Sequence, residues 1–241
     1  MTTEVSVIVP CYNERGCIAE LVERLAHARF VGLGKDGDFE VIVVDDDSPD
    51  GTGALCQSLI AMYPSLRVII RKGERGLASA IRRGIAEAKG QIIVVMDADL
   101  SHPPEMIPVL VSKVENGSAN ICVASRFVKG GSMVSSWPNV LGSRILNMYT
   151  RTILRIPIKD LTGGFFAVKK AALEGLDIDS IFKGYGDYCV ALLYTGARQG
   201  WHMCEAGFAY SPRRNGASKT GFFRAGFSYG VRALKLRFGA T

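Results

Sequence analysis

The chain has 241 residues, 48% of them hydrophobic, which is enough to enclose one large domain or two small ones. Its formal net charge is +6, and the excess is carried by seven basic residues after Glu205, because 22 of the 29 basic and all 23 acidic side chains lie in residues 1–205. No apolar run approaches the ~18–20 residues that cross a bilayer, so we expect a soluble or peripheral protein rather than a membrane-spanning one.

Strand and helix patterns alternate through the first 125 residues. Apolar runs predict strands at residues 5–9, 40–44, 66–70, 91–96 and 120–124. Helical spacing and capping residues predict helices at residues 14–29, from about 53, at 77–88 and from 103. The first strand should stop at Pro10. Such βα repeats predict an α/β fold with a doubly wound, mainly parallel sheet.

The pattern changes after Arg126. The composition of residues 129–136 is that of a flexible loop and indicates a candidate lid. Further elements are predicted as helices at 139–155 and 188–199 and a strand at 163–168. Because no internal repeat occurs, we predict one domain over residues 1–220, followed by an extension over 221–241.

The extension is predicted to form a basic amphipathic helix. Its apolar stripe consists of Phe223, Phe227, Val231, Leu234 and Phe238, and its basic flank of Arg224, Arg232 and Lys235 beside Ser228. This pattern favours a helix in a membrane interface, with the basic flank on lipid phosphates. The alternative is a terminal helix that packs on the domain, and Gly226 and Gly230 weaken any isolated helix.

Two acidic clusters follow the most apolar of the predicted strands. Asp45-Asp46-Asp47 comes after strand 40–44, and Asp97-Ala98-Asp99 comes after strand 91–96. Open α/β sheets bind ligands at the carboxyl ends of their strands, so both clusters should face one pocket. Carboxylates two residues apart can hold one hard divalent cation with its phosphates. The alternative interpretation is a pair of ordinary solvated turns.

Five segments together carry a recognisable pattern. They are PCYNE at 10–14, VDDDSPDGT at 44–52, DADLSHPP at 97–104, DLTGGF at 160–165 and RRNGASK at 213–219. In this order and spacing they resemble the inverting family-2 glycosyltransferases, and the last two narrow the resemblance to the dolichyl-phosphate mannosyltransferases. The resemblance extends from residue 4 to about 225 and implies a GT-A fold.

The resemblance also implies a binding role for particular residues. Those implied for the nucleotide sugar are Pro10, Tyr12, Glu14, Val44, Asp46, Asp97, Ala98, Asp99, Arg126, Arg213 and Lys219. Tyr12 offers a ring that can stack on a base, and Glu14 can accept hydrogen bonds from guanine or ribose. For these two residues the alternative is a surface turn with a helix cap.

A divalent metal and a set of cations complete the implied site. Mg²⁺ or Mn²⁺ would be held by Asp97 and Asp99, with Ser101 at the position of a further ligand, while His102 is interpreted as a residue of the same turn. Arg126 and Arg144 are implied to bind the acceptor phosphate, since guanidinium groups suit phosphate oxygens. The catalytic residues would be Asp97, Asp99 and Arg126.

The implied activity is transfer of mannose from GDP-mannose to dolichyl or another polyprenyl phosphate, with inversion. One alternative is a sister enzyme that uses UDP-glucose or another sugar nucleotide. A polymer-forming relative is disfavoured, because no Q-x-x-R-W segment occurs. More distant alternatives are a non-catalytic nucleotide-sugar-binding subunit and a nucleic-acid-binding protein. The apolar stripe favours lipid over nucleic acid, so no nucleic-acid partner is expected.

The cysteines bear on where the protein works. None of the six forms a CxxC pair or a cluster with histidine, so disulfides are not expected and a reducing compartment is indicated. We therefore predict a peripheral protein on the cytosolic face of a membrane. That membrane would be the endoplasmic reticulum in a eukaryote and the plasma membrane in a prokaryote. Small membrane-anchoring subunits are a further implied partner.

Overall fold

The computed structural model describes residues 4–28, 39–117, 119–184, 186–212 and 222–239, with side chains from Ser228 onward in the last range. Within these residues the strands are β1 Val5–Cys11, β2 Phe39–Asp45, β3 Leu66–Ile70, β4 Ile92–Val95, β5 Ile121–Ser125, β6 Ser132–Met133, β7 Phe166–Lys169, β8 Met203–Gly207 and β9 Ala209–Tyr210. The predicted strands are all present: the strand at 66–70 has the predicted ends, and the ends of the others differ by at most three residues.

The helices follow the predicted order. They are α1 Arg15–His27, α2 Thr52–Leu59, α3 Leu77–Glu87, α4 Ile107–Glu115, α5 Trp137–Leu154, α6 Lys170–Leu173, α7 Ile178–Ile181, α8 Tyr188–Arg198 and α9 Phe222–Phe238. A 3₁₀ turn at Pro104–Met106 leads into α4. The short helices α6 and α7 and the strands β6, β8 and β9 have no counterpart in the prediction.

The central sheet has seven strands in the part of the chain that the structure describes. Their order is β3-β2-β1-β4-β7-β5-β8, and every neighbouring pair is parallel except those made by β7. The predicted α/β fold with a mainly parallel sheet is therefore confirmed. Because β7 is antiparallel, the residues that precede it lie at the same edge of the sheet as those that follow β4.

Pro10 does not end β1, contrary to the prediction. The strand continues to Cys11, with Pro10 in register with Val44 of β2. The carbonyl of Ile8 accepts from Met96 on the β4 side, so Pro10, two residues later, faces the same side. There β4 has already ended, and the missing N–H of proline costs no ladder hydrogen bond.

Two helical layers cover the sheet. On one face α3 and α8 pack with Ala233 of α9, and on the other α1, α2 and α4 pack together. Alternation along β1 serves both layers, since Ile8 belongs to the first core and Val7 and Val9 to the second. The sheet is thus buried on both faces, as expected for a parallel sheet.

The candidate lid at 129–136 is not wholly irregular. Its residues Ser132 and Met133 form β6, which pairs in parallel with β9. The N–H of Ser132 donates to the carbonyl of Phe208 at 3.0 Å, and that of Val134 donates to Tyr210 at 3.1 Å. Loop composition gave no sign of this pairing, because a two-residue strand has too few residues for a period.

The predicted C-terminal helix is present as α9, and it packs on α5 and α8. Ala233 is fully buried, and Tyr229 and Leu236 pack against the same core. Leu234 and Phe238, members of the predicted apolar stripe, are exposed. The helix therefore uses one face to pack on the domain and presents part of the predicted stripe outward. No helix in the described ranges is long and apolar enough to cross a membrane.

Candidate active site

A cleft of about 320 Å³ opens at the edge of the sheet where β1, β2 and β4 end and β7 begins. Its lining groups the predicted residues Pro10, Tyr12, Glu14, Asp46, Asp97, Ala98 and Asp99 in one place. The other lining residues are Cys11, Arg75, Gly76, Leu77, Ala80, Thr162, Gly163, Gly164, Gly186, Tyr188 and Tyr229. The expectation that both acidic clusters reach one pocket holds for Asp46 and for the pair after β4.

Tyr12 forms part of one end of the cleft together with Arg75. The guanidinium carbon of Arg75 lies 4.1 Å from the centre of the Tyr12 ring. Such a cation over an aromatic face stabilises both side chains and holds the ring in place. Sequence reasoning missed Arg75, since it follows β3, where no motif was recognised.

Asp46 lies in a buried ion pair with Arg71. The guanidinium Nε donates to Asp46 Oδ1 at 2.8 Å, and the N–H of Gly76 donates to Oδ2 at 2.8 Å. Both charged side chains are only 5% exposed. Asp46 thus fixes the β3–α3 loop, and with it Arg75, against the end of β2.

The turns after β1 and β2 are joined by side-chain hydrogen bonds. The N–H of Asn13 donates to Ser48 Oγ at 2.9 Å, and the N–H of Glu14 donates to Thr52 Oγ1 at 3.0 Å. Asp50 accepts from the hydroxyl and N–H of Thr52. Partial burial raises the pKa of Asp50, but these hydrogen bonds together lower it by more, so the pKa of this carboxyl is below its usual value. The bonds hold the two turns at one fixed separation.

The turn after β4 presents Asp97 and Asp99 to the cleft. The Asp97 side chain is 32% exposed, whereas Asp99 is almost fully buried. Leu100 has a left-handed backbone with φ of 63°, which is uncommon for a bulky residue. The N–H of Ser101 donates to Asp99 Oδ1 at 3.0 Å and closes this tight turn.

The buried side chain of His102 supports the same turn from the protein interior. Its Nδ1 accepts from the N–H of Asp97 at 3.0 Å, and its ring stacks on Phe165 at 4.8 Å. The side chain is 1% exposed, with Phe208 and Tyr210 at its edges. His102 is therefore a buried residue that orients Asp97, a role that its position in the motif did not reveal.

Ser101 was predicted as a further metal ligand. Its hydroxyl is buried and finds no hydrogen-bond partner among the described residues. An orphaned hydroxyl beside Asp99 fits an oxygen ligand of an Mg²⁺ or Mn²⁺ ion. Asp97 and Asp99 line the cleft, whereas Ser101 is not among its lining residues. Within the described ranges no group of three or more His, Cys, Asp or Glu residues could hold a metal.

The opposite end of the cleft is built from glycines and two tyrosines. Gly163 and Gly164 precede β7, Gly186 precedes α8, and Tyr188 and Tyr229 close the wall. Burial raises the pKa of both phenols above the usual value, with nearby acidic groups adding to the effect. Both hydroxyls are therefore protonated in the neutral pH range.

Arg126 lies beyond this wall and is not among the residues that line the cleft. Its Nε and Nη2 donate to Asp160 at 2.8 and 2.7 Å, and Nη2 also donates to Thr162. Burial alone would lower the pKa of the guanidinium, but the hydrogen bonds and charge of Asp160 raise it above the usual value. Arg126 and the exposed Arg144 flank the ring of Phe127, at 5.1 and 5.9 Å.

Three other predicted residues remain, and the structure describes only one of them. Val44 is fully buried in the core under α3 and reaches the site only through its backbone position beside Pro10. Arg213 and Lys219 lie outside the described residues. Their assignment to phosphate binding stays a prediction.

An apolar surface lies on α5 next to α9. Trp137, Leu141, Ile145 and Met148 recur every three or four residues, so they form one stripe, and all are exposed, Trp137 to 74% and Met148 to 63%. We call these four residues the α5 stripe. Large apolar side chains grouped on one exposed face are unusual for a soluble monomer and indicate a surface that contacts another protein or a membrane.

Comparison with known proteins identifies the family. The model of glycosyl transferase family 2 matches residues 6–177. A dolichol-phosphate mannosyltransferase of Pyrococcus furiosus is 43% identical over 221 residues, which are 90% of this chain and 59% of the relative. The chain thus spans under two thirds of that relative. A polyprenol monophosphomannose synthase of Mycolicibacterium smegmatis is 34% identical over 230 residues, 90% of this chain and 81% of the relative.

Solved structures show the same fold. Glucosyl-3-phosphoglycerate synthase from Mycobacterium tuberculosis, in complex with Mn²⁺, UDP and glucosyl-3-phosphoglycerate, superposes with a TM-score of 0.72 at 21% identity, covering 98% of this chain and 80% of that one. The predicted GT-A fold is thereby confirmed. The chain belongs to glycosyl transferase family 2 and, within it, to the dolichol-phosphate mannosyltransferases.

Proposed function

We propose that this glycosyltransferase moves mannose from GDP-mannose to dolichyl or another polyprenyl phosphate, with inversion at the anomeric carbon. The observation that carries the proposal is the layout of the cleft, with the carboxylates of Asp97 and Asp99 between an aromatic and polar end and a glycine-lined end. A sugar nucleotide has the same sequence of parts, a base and ribose, a diphosphate and a hexose. Two relatives named for mannose transfer to such lipids support the choice of substrates.

The nucleoside would occupy the end near Tyr12 and Glu14. Guanine presents N–H donors that a carboxylate such as Glu14 matches, and the Tyr12–Arg75 pair offers a flat surface for the base. The carboxylate of Asp46 already accepts hydrogen bonds from Arg71 and Gly76. We therefore propose that Asp46 holds the loop at this end of the cleft in place rather than making the main contact with ribose.

Asp97 and Asp99, with the hydroxyl of Ser101, would hold Mg²⁺ or Mn²⁺. When bound, the metal neutralises charge on the donor diphosphate and so stabilises the departing nucleoside diphosphate. Mg²⁺ commonly takes one or two carboxylates and completes its shell with phosphates and water, which fits the donor set found here. Asp97 is kept in position for this role by the bond from its N–H to His102.

The acceptor needs no general base. A polyprenyl phosphate oxygen is already anionic at neutral pH and can attack the anomeric carbon directly, giving a β-linked mannosyl phospholipid. The chain must then hold two anionic groups near each other. We assign Arg126 and Arg144, which converge on Phe127, to the acceptor phosphate, and we keep Arg213 and Lys219 as predicted contacts of the nucleotide sugar. The bond network of Asp160 and Thr162 fixes the position of Arg126.

The lipid acceptor requires contact with a membrane surface. The α5 stripe and the exposed Leu234 and Phe238 of α9 offer the apolar part of that contact, and the basic C-terminal segment offers attraction to lipid phosphates. We propose peripheral attachment on the cytosolic face, directly or through small membrane-anchoring subunits. Buried free cysteines suit the reducing conditions there.

Transfer of labelled sugar into organic-extractable lipid tests the proposal. GDP-mannose and UDP-glucose are offered in parallel with dolichyl phosphate, with and without Mn²⁺. Metal-dependent label from GDP-mannose alone supports the proposal. Label from UDP-glucose alone assigns the sister activity to the same site, and label from neither donor contradicts the proposed function.

A further inference from the structure

The order of strands along the sheet gives the cleft a direction. Asp46 follows β2, Tyr12 follows β1, Asp97 and Asp99 follow β4, and Gly164 precedes β7. A donor with its base at Tyr12 and its diphosphate at the β4 carboxylates must extend its hexose toward β7. The wall at that end includes Tyr229, which comes from α9 rather than from the sheet.

Tyr229 is firmly placed. Its hydroxyl donates to the carbonyl of Gly186 at 2.8 Å, and its ring packs against the core beneath α8. One turn later, Arg232 Nη2 donates to the carbonyl of Ser180 at 3.1 Å and Nε lies 3.4 Å from the Asp187 carboxylate. The two side chains attach α9 to Ser180, Gly186 and Asp187, next to the cleft.

The glycines at this end leave room for a sugar ring and for the phenols. A Cβ added at Gly186 would lie 2.5 Å from the Tyr229 hydroxyl, so only glycine permits this close approach. A Cβ at Gly164 would lie 2.8 Å from the Tyr188 hydroxyl, and Gly164 has a positive φ of 70°. The two phenol oxygens therefore lie close to the backbone of Gly186 and Gly164, where no side chain intervenes.

We propose that Tyr229 is a specificity-determining residue for the transferred hexose, and that its phenol oxygen accepts a hydrogen bond from one sugar hydroxyl. The phenol proton is already committed to the Gly186 carbonyl, which leaves the oxygen lone pairs as acceptors. A sugar hydroxyl can donate to them, whereas the diphosphate and a bare nucleotide lack a hydroxyl at that place. This inference rests on the proposed function, because it assumes a sugar-nucleotide donor.

The proposal links the lipid-facing part of the chain to the donor. The helix that carries Tyr229 on its inner side also exposes Leu234 and Phe238 on its outer side. The residue that contacts the sugar therefore belongs to the same rigid element that we assign to the membrane surface.

Tyr229→Phe tests the contact, since it keeps the ring and removes the oxygen. We expect kcat/KM for GDP-mannose to fall about 3- to 10-fold, the value of one neutral hydrogen bond, with inhibition by GDP unchanged. Tyr194→Phe is the matched control, because Tyr194 lies buried in the same core and does not line the cleft. Its kcat/KM should equal that of wild type.

A series of deoxy donors separates contact from a structural effect. Of the 2-, 3-, 4- and 6-deoxy analogues of GDP-mannose, one should react equally well with wild type and Tyr229→Phe, because the bond is absent in both. An equal loss with every donor, weaker inhibition by GDP, or no loss at all would overturn the proposal.

The wild-type rate separates this inference from the proposed function. If wild type uses UDP-glucose instead of GDP-mannose, kcat/KM of wild type and of Tyr229→Phe is compared for the deoxy analogues of UDP-glucose. That comparison supports or overturns the Tyr229 contact independently of the donor proposed here. A wild type that transfers neither sugar overturns both proposals.

Discussion

The end of the cleft at Tyr12 and Asp46, which we assign to the nucleoside and call the nucleotide end, and the surface made by α5 and α9 are built on opposite principles. At the nucleotide end, polar groups are paired within the protein, as in the buried Asp46–Arg71 ion pair and the hydrogen bond that the Gly76 N–H donates to Asp46. On the α5/α9 surface, large apolar side chains such as Met148 and Phe238 face outward. In the first region the charged and polar groups named are paired within the protein, whereas the second region exposes apolar side chains to water, which is unfavourable.

The difference indicates how a soluble donor and a lipid acceptor can meet in one protein. A donor that arrives from water needs a preorganised polar site, because reorganisation would weaken every electrostatic contact. An acceptor that stays in a lipid phase instead needs a surface that enters its interface. Substitutions in the two regions should therefore affect different measurements.

The largest effect is expected from Asp99→Asn. The change removes one of the two carboxylates assigned to the metal while keeping size and shape, so transfer from GDP-mannose should fall about 100- to 1000-fold, corresponding to several kcal/mol of charge stabilisation. The measurement is labelled mannosyl lipid formed at saturating Mn²⁺, with vesicle binding as the control. Transfer at the wild-type rate would contradict the assigned role of Asp99.

The next largest effect is expected from Arg71→Met, and the quantity to measure is the free energy of unfolding. Leaving Asp46 buried without its cation should lower the free energy of unfolding by about 3–5 kcal/mol. Arg24→Met is the matched control, because the Arg24–Glu105 pair lies at the surface and its loss should cost under about 1 kcal/mol. Urea midpoints that shift equally for both variants would show that the nucleotide end is not held by this pair.

A smaller effect is expected at the other region. Ile145→Gln with Met148→Gln should weaken binding to vesicles that contain anionic lipid by about 10-fold or more, since each side chain loses part of its ~1.5–3 kcal/mol of burial. Sedimentation with vesicles measures it.

Ile60→Gln with Met62→Gln is the control, because these residues are also exposed and apolar but lie after α2. Equal loss of vesicle binding in both double variants would show that the α5 stripe has no special role. Transfer to a short, water-soluble polyprenyl phosphate should be unchanged in either.

The smallest effect concerns Glu40, at the far end of the sheet from the cleft. Burial raises the pKa of its carboxyl, but hydrogen bonds from Arg67, Lys89 N–H and Ser6 lower it more, and the result is below the usual value. A lowered pKa in the folded state adds stability that is present above the ordinary Glu pKa and lost as pH falls through the folded value.

Glu40→Gln should therefore cost about 1 kcal/mol at pH 7, and the difference from wild type should shrink as the pH falls below about 4.5. Unfolding midpoints measured from pH 7 to pH 3 check it. A difference that stays constant over that range would mean that the carboxylate charge adds nothing there.

Most of the fold could be predicted from the sequence because its signals are local. Apolar runs such as Val41–Val44 and the repeated βα pattern specify a buried parallel sheet without any knowledge of contacts. The direction of β7 could not be predicted, since a four-residue strand reads the same whichever way it pairs. Its antiparallel course is set by long-range packing.

The candidate site was predictable only where a motif carries it. Asp97 and Asp99 were found because they end an apolar run, but Arg75 and Tyr229 enter the cleft through tertiary contacts between distant segments. Arg126 does not line the cleft, and only the structure shows Asp160 beside it. Spacing along the chain cannot reveal such pairs.

The recess between β1 and β4 is a step in the backbone itself. β1 continues through Pro10 to Cys11, three residues past Ile8, the last residue in register with β4. At about 3.3 Å per residue this stagger is roughly 10 Å, comparable to the length of a diphosphate with part of its sugar. Because this stagger belongs to the backbone, we expect single substitutions among the lining side chains to change the contacts made with a donor while the step between the two strands persists.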